Sequence, residues 1–328
     1  MSLGEFELIA RYFAQQPRRA DVLLGIGDDA AVLDPRADRK LVVAVDTIVE
    51  GIHFPCGTSP ADIGYRALAV NLSDLAAMGA EPSWFTLSLS MPASDEQWVR
   101  QFASGLFELA NAYDLALIGG DTVKGPLVVT VQIAGWVEAD RWLTRAGAQA
   151  GDLVIVSGVP GEAAGGLATL QNNLPVDAHV ENLQRRFLRP TPRVELGRAL
   201  RPLATAAMDI SDGLLTDLDK LCAASGCGAS IDVDALPRSI DLAAIFAAET
   251  CAQYALAGGD DYEILFTVAP AQLSQLAASD VRCTPIGTIT SGTEVECRRG
   301  QRRYEVKRRG YDHFESVRRF DEGRGTGA

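Results

Sequence analysis

An aspartate that directly follows a buried strand is the feature that most constrains this chain. The apolar run LVVAV at residues 41–45 is typical of a strand, and Asp46 follows it in the segment DTIVEGIHF. Open α/β sheets bind their ligands at the carboxyl ends of strands, so this carboxylate is expected to lie at a pocket. Apolar segments followed by acids recur in GIGDDAAV, VNLSDLAAMG, LIGGDT, MDISDG and LAGGDDYE, which carry Asp28, Asp29, Asp74, Asp121, Asp209, Asp212, Asp260, Asp261 and Glu263.

Carboxylates that gather at one site need a counter-charge. Two of them about 4 Å apart repel by roughly 4 kcal/mol at an effective dielectric constant of about 20. Mg²⁺ held by carboxylates removes this repulsion and usually also binds substrate phosphates. Each aspartate alone is explained as well by a helix cap or a turn. Asp74 is harder to explain in that way, because it lies in mid-helix among apolar residues. The set predicts a site for Mg²⁺ and phosphate.

The composition excludes several classes of protein. With 328 residues, 47% of them hydrophobic and 22% charged, the chain is expected to fold into one large or two ordinary globular domains. Its net charge of −13 argues against a general nucleic-acid-binding protein. The N-terminal segment is typical of an amphipathic helix rather than a signal peptide, and no apolar run reaches membrane-spanning length. We therefore expect a cytoplasmic protein without a membrane partner.

Strand and helix signals alternate along the chain, and the amino-acid composition changes near the middle. Residues 139–151 are polar and rich in small residues, which predicts a boundary between an N-terminal domain (1–138), a C-terminal domain (139–317) and a flexible tail (318–328). Two strands, LALIGGDTV and PLVVTVQIAGWV, are expected to be joined by a short turn. The segment QNNLPVDAHVENL is interpreted as a polar stretch that precedes a helix from about Pro192 to Leu200.

Known nucleotide-binding motifs do not explain the acids. The segment GIGDDA fits the dinucleotide pattern in letters, but its acids would repel a pyrophosphate and no clear helix follows. The Walker motif and the protein-kinase signatures are absent from the sequence. If the chain binds ATP, metals held by aspartates must bind most of the phosphate.

Three further features have two interpretations each. The glycine-rich segment at residues 158–167 could hold a phosphate at a helix N-terminus or form a tight turn with close helix packing. Arg145 could pair with a phosphate or be an ordinary surface arginine. The basic run at residues 298–309 could bind phosphate or RNA, although a solvated hairpin edge explains it better.

Taken together, nine motifs resemble the bacterial thiamine-monophosphate kinases, within the superfamily of aminoimidazole ribonucleotide synthetase. They are GEFELIARYF, GIGDDAAV, DTIVEGIHF, VNLSDLAAMGAEP, LIGGDT, LTRAGAQAGD, DISDGL, GGDDYE and GYDHF, in this order over nearly the whole chain. The resemblance implies an α/β (α+β) fold of two domains: an N-terminal mixed sheet with helices that dimerises, and a C-terminal α/β domain. It also implies a homodimer, with ATP and several Mg²⁺ ions bound in a cleft between the domains.

The implied reaction moves the γ-phosphoryl group of ATP onto thiamine monophosphate, which gives thiamine diphosphate and ADP. Position by position, the resemblance implies as metal ligands Asp29, Asp46, Asp74, Asp121, Asp209 and Asp212, with backbone oxygens from Ala44 and Val45. The residues implied to border ATP are Gly120, Asp121, Arg145 and Ser211. Those implied to face thiamine monophosphate are His53 and Asp260.

One position departs from the family pattern. Family members often have an aromatic residue shortly before GYDHF, where it contacts the substrate, whereas here Arg308 is nearest to that place. A guanidinium can stack on a ring, but it suits a cationic ring less well. Two other functions stay open: another ATP-dependent activity of the same superfamily, or a non-catalytic nucleotide-binding partner protein.

Overall fold

The computed structural model describes residues 4–14, 19–28, 30–278, 281–307 and 310. These residues divide into two compact units. The N-terminal unit contains the described residues up to Leu72 together with Pro82–Glu138, and the C-terminal unit contains Ser73–Glu81 together with the described residues from Ala139 onward. No helix in this part of the chain combines the length and the apolar character needed to cross a membrane.

The N-terminal unit is built on a four-stranded mixed sheet. Its helical elements are α1 (Glu5–Leu8), a π-helical turn (Ile9–Phe13), α2 (Pro60–Ala77), which enters the C-terminal unit at Ser73, and α3 (Glu96–Ala112). Its strands are β1 (Val22–Leu24), β2 (Val32–Leu33), β3 (Arg39–Val49), β4 (Glu81–Met91), β5 (Ala116–Lys124) and β6 (Val128–Glu138). Strands β1 and β2 form a separate hairpin, and the large sheet has the order β3-β6-β4-β5. Helix α3 is capped by Asp95, which accepts hydrogen bonds from the N–H groups of Gln97 and Trp98.

The order of this sheet differs from what a short turn suggests. Strands β5 and β6 follow each other in the sequence, but β4 lies between them in the sheet. Strand β5 runs parallel to β4, with Ser88 opposite Asp121, while β6 pairs antiparallel with β3, with Asp46 opposite Val131. As a consequence, β3 and β5 are the two outer strands.

The C-terminal unit is built on a seven-stranded sheet of order β13-β12-β9-β11-β7-β10-β8. Its strands are β7 (Leu153–Ser157), β8 (Ala204–Asp209), β9 (Gly228–Asp232), β10 (Ile264–Val268), β11 (Cys283–Thr290), β12 (Val295–Arg299) and β13 (Arg302–Arg303). Its helices are α4 (Glu162–Gln171), α5 (Ala178–Leu188), α6 (Val194–Leu200), α7 (Leu214–Ser225), α8 (Ile240–Ile245) and α9 (Ala248–Ala257), with 3₁₀ turns at Val233–Ala235 and Pro270–Ala278. The apolar side chains of β7, β8 and β10 and of α7 form its core.

The interpretation of residues 171–183 as a polar stretch was wrong from Ala178 onward, because α5 begins there. Asp177 caps this helix by accepting a hydrogen bond from the N–H group of Val180 at 2.9 Å. Val180, Leu183 and Phe187 are buried on one face, at the spacing of an amphipathic helix. Because polar residues separate these three in the sequence, their helical spacing was not recognised from the sequence.

Candidate active site

Asp46 lies within strand β3, which continues to Val49. The prediction that it directly follows a buried strand was wrong, because β3 is an outer strand on which Leu41, Val43 and Val45 are exposed. The backbone N–H of Asp46 donates to Oδ1 of Asn71 at 3.0 Å, and Nδ2 of Asn71 donates to the carbonyl of Ala67 at 2.9 Å. Because Asn71 is fully buried in helix α2, it fixes the strand at the residue that carries the carboxylate. The sequence analysis gave Asn71 no role, although it lies in the motif VNLSDLAAMG with Asp74.

Asp121 and Gly120 lie on strand β5. A Cβ atom at Gly120 would be 1.9 Å from the carbonyl oxygen of Leu87, so only glycine allows β5 to approach β4 this closely. Both residues line a groove within the N-terminal unit. Its other walls are mainly apolar: Ile9, Phe13, Ile26, Leu87, Leu117, Gly119 and Thr122.

The two acids of this unit are not brought together within one chain. Asp46 is on β3 and Asp121 on β5, which are the outer strands of the four-stranded sheet. Three inter-strand spacings of about 4.8 Å put these strands roughly 14 Å apart along the sheet. A single ion cannot be coordinated across that distance, since Mg²⁺–oxygen bonds are only about 2 Å long.

The remaining candidates of the N-terminal unit surround Asp46. Ala44 is half-buried and Val45 is 60% exposed, on an outer strand that pairs only with β6 among the described residues. The carbonyls of β3 that face away from β6 are therefore open to a ligand. His53 is half-buried in the turn after β3, and its Nδ1 accepts a hydrogen bond from the N–H group of Val49 at 3.0 Å.

The candidates of the C-terminal unit begin at the end of strand β8. Asp209 is buried there, and its Oδ2 accepts a hydrogen bond from the hydroxyl of Ser73 at 2.8 Å. Asp74, the neighbour of Ser73 on α2, is half-buried. The sequence analysis missed Ser73, although it lies in the same motif as Asp74.

After β8, the loop with Ser211 and Asp212 is held by a buried acid that the sequence analysis also missed. Oδ2 of Asp217 accepts hydrogen bonds from the N–H groups of residues 211, 212 and 213 at 3.0, 3.1 and 3.2 Å. Burial raises the pKa of Asp217 above its ordinary value, and the ammonium group of Lys220 opposes this rise. Nζ of Lys220 lies 2.5 Å from Asp212 Oδ2 and 2.8 Å from Asp217 Oδ1.

Asp260 lies in a loop with unusual backbone angles. Its φ is +62° and that of Tyr262 is +51°, a region that residues other than glycine rarely adopt. The side chain of Asp260 is buried, and its N–H donates to the carbonyl of Ser211 at 2.8 Å. The GGDDYE loop and the Ser211 loop are thus in direct contact.

Arg145 is exposed in the segment that leads into β7. Its carbonyl accepts a hydrogen bond from the hydroxyl of Ser225 at 3.0 Å. The hydroxyl oxygen of Ser225 in turn accepts hydrogen bonds from the N–H groups of Gly147 and Ala148, at 3.1 Å each. The end of helix α7 therefore fixes the backbone at Arg145, while its side chain lies at the surface.

The glycine-rich segment is better explained by packing than by phosphate binding. The carboxylate of Asp261 accepts hydrogen bonds from the N–H groups of Gly161 and Ala163, so it already occupies the N-terminus of helix α4. A Cβ at Gly166 would be 2.0 Å from the carbonyl of Leu183, which shows how closely α4 and α5 pack. Burial raises the pKa of Asp261 well above its ordinary value.

The basic hairpin β12–β13 fits the interpretation as a solvated edge better than that as a phosphate or RNA site. Arg298 pairs with Glu296 at 2.8 Å, and Arg299 pairs with Glu249 at 3.1 Å. These exposed arginines are thus matched with acids of the same unit.

Two of the predicted residues, Asp29 and Arg308, lie outside the described residues. Within the part of the chain that is described, no three acidic, histidine or cysteine side chains are grouped closely enough to hold a metal ion. The candidates are nevertheless carboxylates and backbone carbonyls, the hard oxygen donors that Mg²⁺ prefers. Their chemistry fits Mg²⁺.

Comparison with known proteins assigns the chain to a family. The chain matches the family described as AIR synthase related protein, with its N-terminal domain at residues 27–137 and its C-terminal domain at residues 149–299. The thiamine-monophosphate kinase of Salmonella typhimurium (strain LT2) is 48% identical over 324 residues, which cover 96% of this chain and 99% of the relative. The chain belongs to the thiamine-monophosphate kinase family.

Solved structures agree with this assignment. The crystal structure of thiamine-monophosphate kinase from Stenotrophomonas maltophilia K279a is 49% identical, with a TM-score of 0.84, and the match covers 90% of this chain and 97% of that one. The structure of AaThiL complexed with AMPPCP and TMP is 32% identical, with a TM-score of 0.77 and coverage of 88% and 92%. The predicted family and its two-domain fold of mixed sheets and helices are confirmed.

Proposed function

We propose that this chain catalyses the Mg²⁺-dependent transfer of the γ-phosphoryl group of ATP to thiamine monophosphate, giving thiamine diphosphate and ADP. The near full-length identity to thiamine-monophosphate kinases carries this proposal. The carboxylates on strands β3, β5 and β8 suit the reaction, because both reactants are polyanions.

The chain contributes positioning and charge rather than a covalent intermediate. A phosphate acceptor is already an anionic nucleophile near neutral pH, so no general base is needed. The proposed ligands of Mg²⁺ are Asp29, Asp46, Asp74, Asp121, Asp209 and Asp212, with the carbonyls of Ala44 and Val45. When bound there, Mg²⁺ supplies the charge that lets the two phosphates approach in line. Asn71 and Ser73 would orient Asp46 and Asp209 for this task.

We assign ATP to Gly120, Asp121, Arg145 and Ser211. The apolar groove beside Gly120 suits the flat base of the nucleotide, and Asp121 is one of its lining residues. Apolar walls with a few polar groups are typical of sites for small molecules. Thiamine monophosphate is assigned to His53, Asp260 and Arg308.

A homodimer would complete the site. Asp46 and Asp121 lie on opposite outer strands, so we propose that Asp46 of one copy and Asp121 of the other act at the same site. Strand β3 also exposes an apolar row, with Leu41 at 48%, Val43 at 54% and Val45 at 60% exposure. Exposed apolar patches of this kind mark interaction surfaces, and a second copy of the four-stranded sheet would cover it.

Each of the two units has its own proposed role. We propose that residues 1–138 bind ATP and Mg²⁺ and form the dimer, that residues 139–317 form the C-terminal α/β domain, and that residues 318–328 are a flexible tail. We also propose that the enzyme works in the cytoplasm.

The test is formation of thiamine diphosphate from thiamine monophosphate, ATP and Mg²⁺, with EDTA as the control. We expect product that requires Mg²⁺. ATP binding with no thiamine diphosphate would instead favour another activity of the superfamily or a non-catalytic nucleotide-binding partner. A screen of other phosphate acceptors would then separate these two alternatives.

A further inference from the structure

A buried carboxylate that the sequence analysis left without a role, Glu263, lies at the base of the GGDDYE loop. Its side chain is fully buried and accepts hydrogen bonds from the hydroxyl of Ser157 at 2.5 Å and from Arg186 at 2.7 Å. Arg193 donates to both of its oxygens, from Nε at 2.7 Å and from Nη2 at 2.5 Å. Such a bidentate pair fixes orientation as well as charge.

Stability alone does not explain this network. Strand β10, which follows Glu263, is wholly buried and pairs on both sides, with β7 and with β8. A buried ion pair must repay a large desolvation cost, and apolar residues of similar volume often serve stability equally well. Burial raises the pKa of Glu263, but the hydrogen bonds and charges of the two arginines lower it by more, so the network holds the group ionised. The geometry that it imposes on the neighbouring backbone offers a better explanation.

That backbone joins two of the predicted site loops. The N–H of Ile210 donates to the carbonyl of Glu263, the N–H of Tyr262 to the carbonyl of Ile210, and the N–H of Asp260 to the carbonyl of Ser211, each at 2.8 Å. These bonds continue the ladder of β8 and β10 past the strand ends. The loop after Asp209 and the loop with Asp260 therefore form one double loop, with Glu263 at its base.

The double loop holds a conformation that it would not adopt alone. Asp260 and Tyr262 both have positive φ, and strained residues of this kind persist only where the surroundings determine them. Two anchors lie beside them: Asp261, which caps helix α4, and Glu263 with its arginines. Strain of this kind is concentrated at ligand-binding sites.

We propose that Glu263, together with Arg193, is a positioning residue that holds the Asp260 side of the double loop in the geometry that binds thiamine monophosphate. Neither residue touches the reacting groups in this assignment, because Glu263 is buried behind the loop. The identity of the substrate rests on the proposed function, whereas the role of Glu263 in holding the two loops together does not.

The test is the Glu263→Gln variant, which keeps the side-chain volume and removes the charge. Hydrogen exchange should become about tenfold faster at the amides of Asp260 and Tyr262, measured over an exchange time in which the amides of β10 stay protected in both proteins. The KM for thiamine monophosphate should rise about tenfold with kcat within about twofold, since positioning residues of this kind are typically worth 10- to 100-fold. Glu162→Gln is the matched control. Glu162 pairs with the same Arg186 at 3.2 Å but takes no part in the backbone bonds of the double loop, so both readouts should stay unchanged.

Wild-type exchange in the double loop of Glu263→Gln would overturn the proposal, and so would an equal acceleration throughout β10 over that exchange time. If that variant does not fold, Arg193→Lys keeps the charge but loses the bidentate contact. It should raise exchange in the double loop and the KM by about threefold, and unchanged values would overturn the proposal in the same way. A wild-type protein that forms no thiamine diphosphate refutes the proposed function instead, and the exchange experiment still decides the role of Glu263.

Discussion

In the N-terminal unit, Asp46 and Asp121 lie on the opposite outer strands of a four-stranded sheet, whereas in the C-terminal unit the loops of Asp209 and Asp260 are joined by three main-chain hydrogen bonds. In the first pair each acid has its own support: Asn71 binds the backbone of Asp46, and β4 packs closely against β5 beside Asp121. The second pair shares one support at Glu263. In the proposed assignment, the N-terminal carboxylates therefore need a second chain, whereas the two C-terminal loops are joined within one chain.

The largest expected effect tests the dependence on a second chain. Asp46→Asn and Asp121→Asn should each lower kcat by about 100-fold or more, because each removes a proposed metal ligand. Mixing the two variants should restore roughly a quarter of wild-type activity, since half of randomly assembled dimers are mixed and each mixed dimer has one intact site. Steady-state assays of refolded mixtures measure this recovery.

Two controls make the mixing experiment decisive. Each variant mixed with itself should stay inactive, and Asp46→Asn mixed with Asp209→Asn reports on a pair for which no sharing is proposed. Mixed dimers that are present but inactive would show that Asp46 and Asp121 of the same chain act together, which would remove the contrast between the units.

The next effect is the loss of stability when Glu263, which supports the C-terminal loops, is replaced, and this loss depends on pH. Because the pKa of Glu263 is lowered in the folded state, its contribution to stability is fully present above the ordinary glutamate value of 4.5 and is lost as the pH falls through the folded-state value. Glu263→Gln should therefore reduce the free energy of unfolding by about 3 kcal/mol at pH 7. Urea titrations from pH 7 to pH 3 should show this difference shrinking below about pH 4.5.

Glu162, which pairs with Arg186 and is less buried than Glu263, again supplies the control. Glu162→Gln should change the free energy of unfolding by less than about 1 kcal/mol, because a partly exposed ion pair contributes little. A Glu263→Gln penalty that is the same at pH 3 and pH 7 would mean that packing, rather than the ionised carboxylate, accounts for the loss.

A smaller effect tests the apolar row on β3. Val43→Lys introduces a charge at the centre of this row and should weaken the homodimer by about 100-fold, roughly 2.7 kcal/mol. Analytical ultracentrifugation measures the shift towards monomer, and activity should fall in parallel. Ile240→Lys on helix α8 is the control, because Ile240 is 81% exposed but lies outside the N-terminal sheet. A Val43→Lys protein that dimerises as tightly as the wild type would contradict the proposed interface.

The two regions also differ in how far sequence could predict them. The short connection between β5 and β6 was predictable, because apolar runs and turn residues act locally. The placement of β4 between β5 and β6 was not, since strand order depends on pairings between distant segments. Glu263 stood in a recognised motif, but its role depends on Arg193, 70 residues away along the chain, and no local pattern reports such a contact.

The smallest expected effect tests whether the groove beside Gly119 binds the base of ATP, as proposed, separately from the proposed metal ligand Asp121 on the same strand. A Cβ at Gly119 would meet no atom within 4 Å, so Gly119→Val can fill the groove without disturbing β5. We expect the KM for ATP to rise about tenfold, equal to about 1.4 kcal/mol, with the KM for thiamine monophosphate unchanged. Val123→Ala is the control, because Val123 is exposed on the same strand and does not line the groove. If Gly119→Val raised both KM values equally, the groove would not hold the base alone, and the N-terminal unit would bind both substrates through one surface.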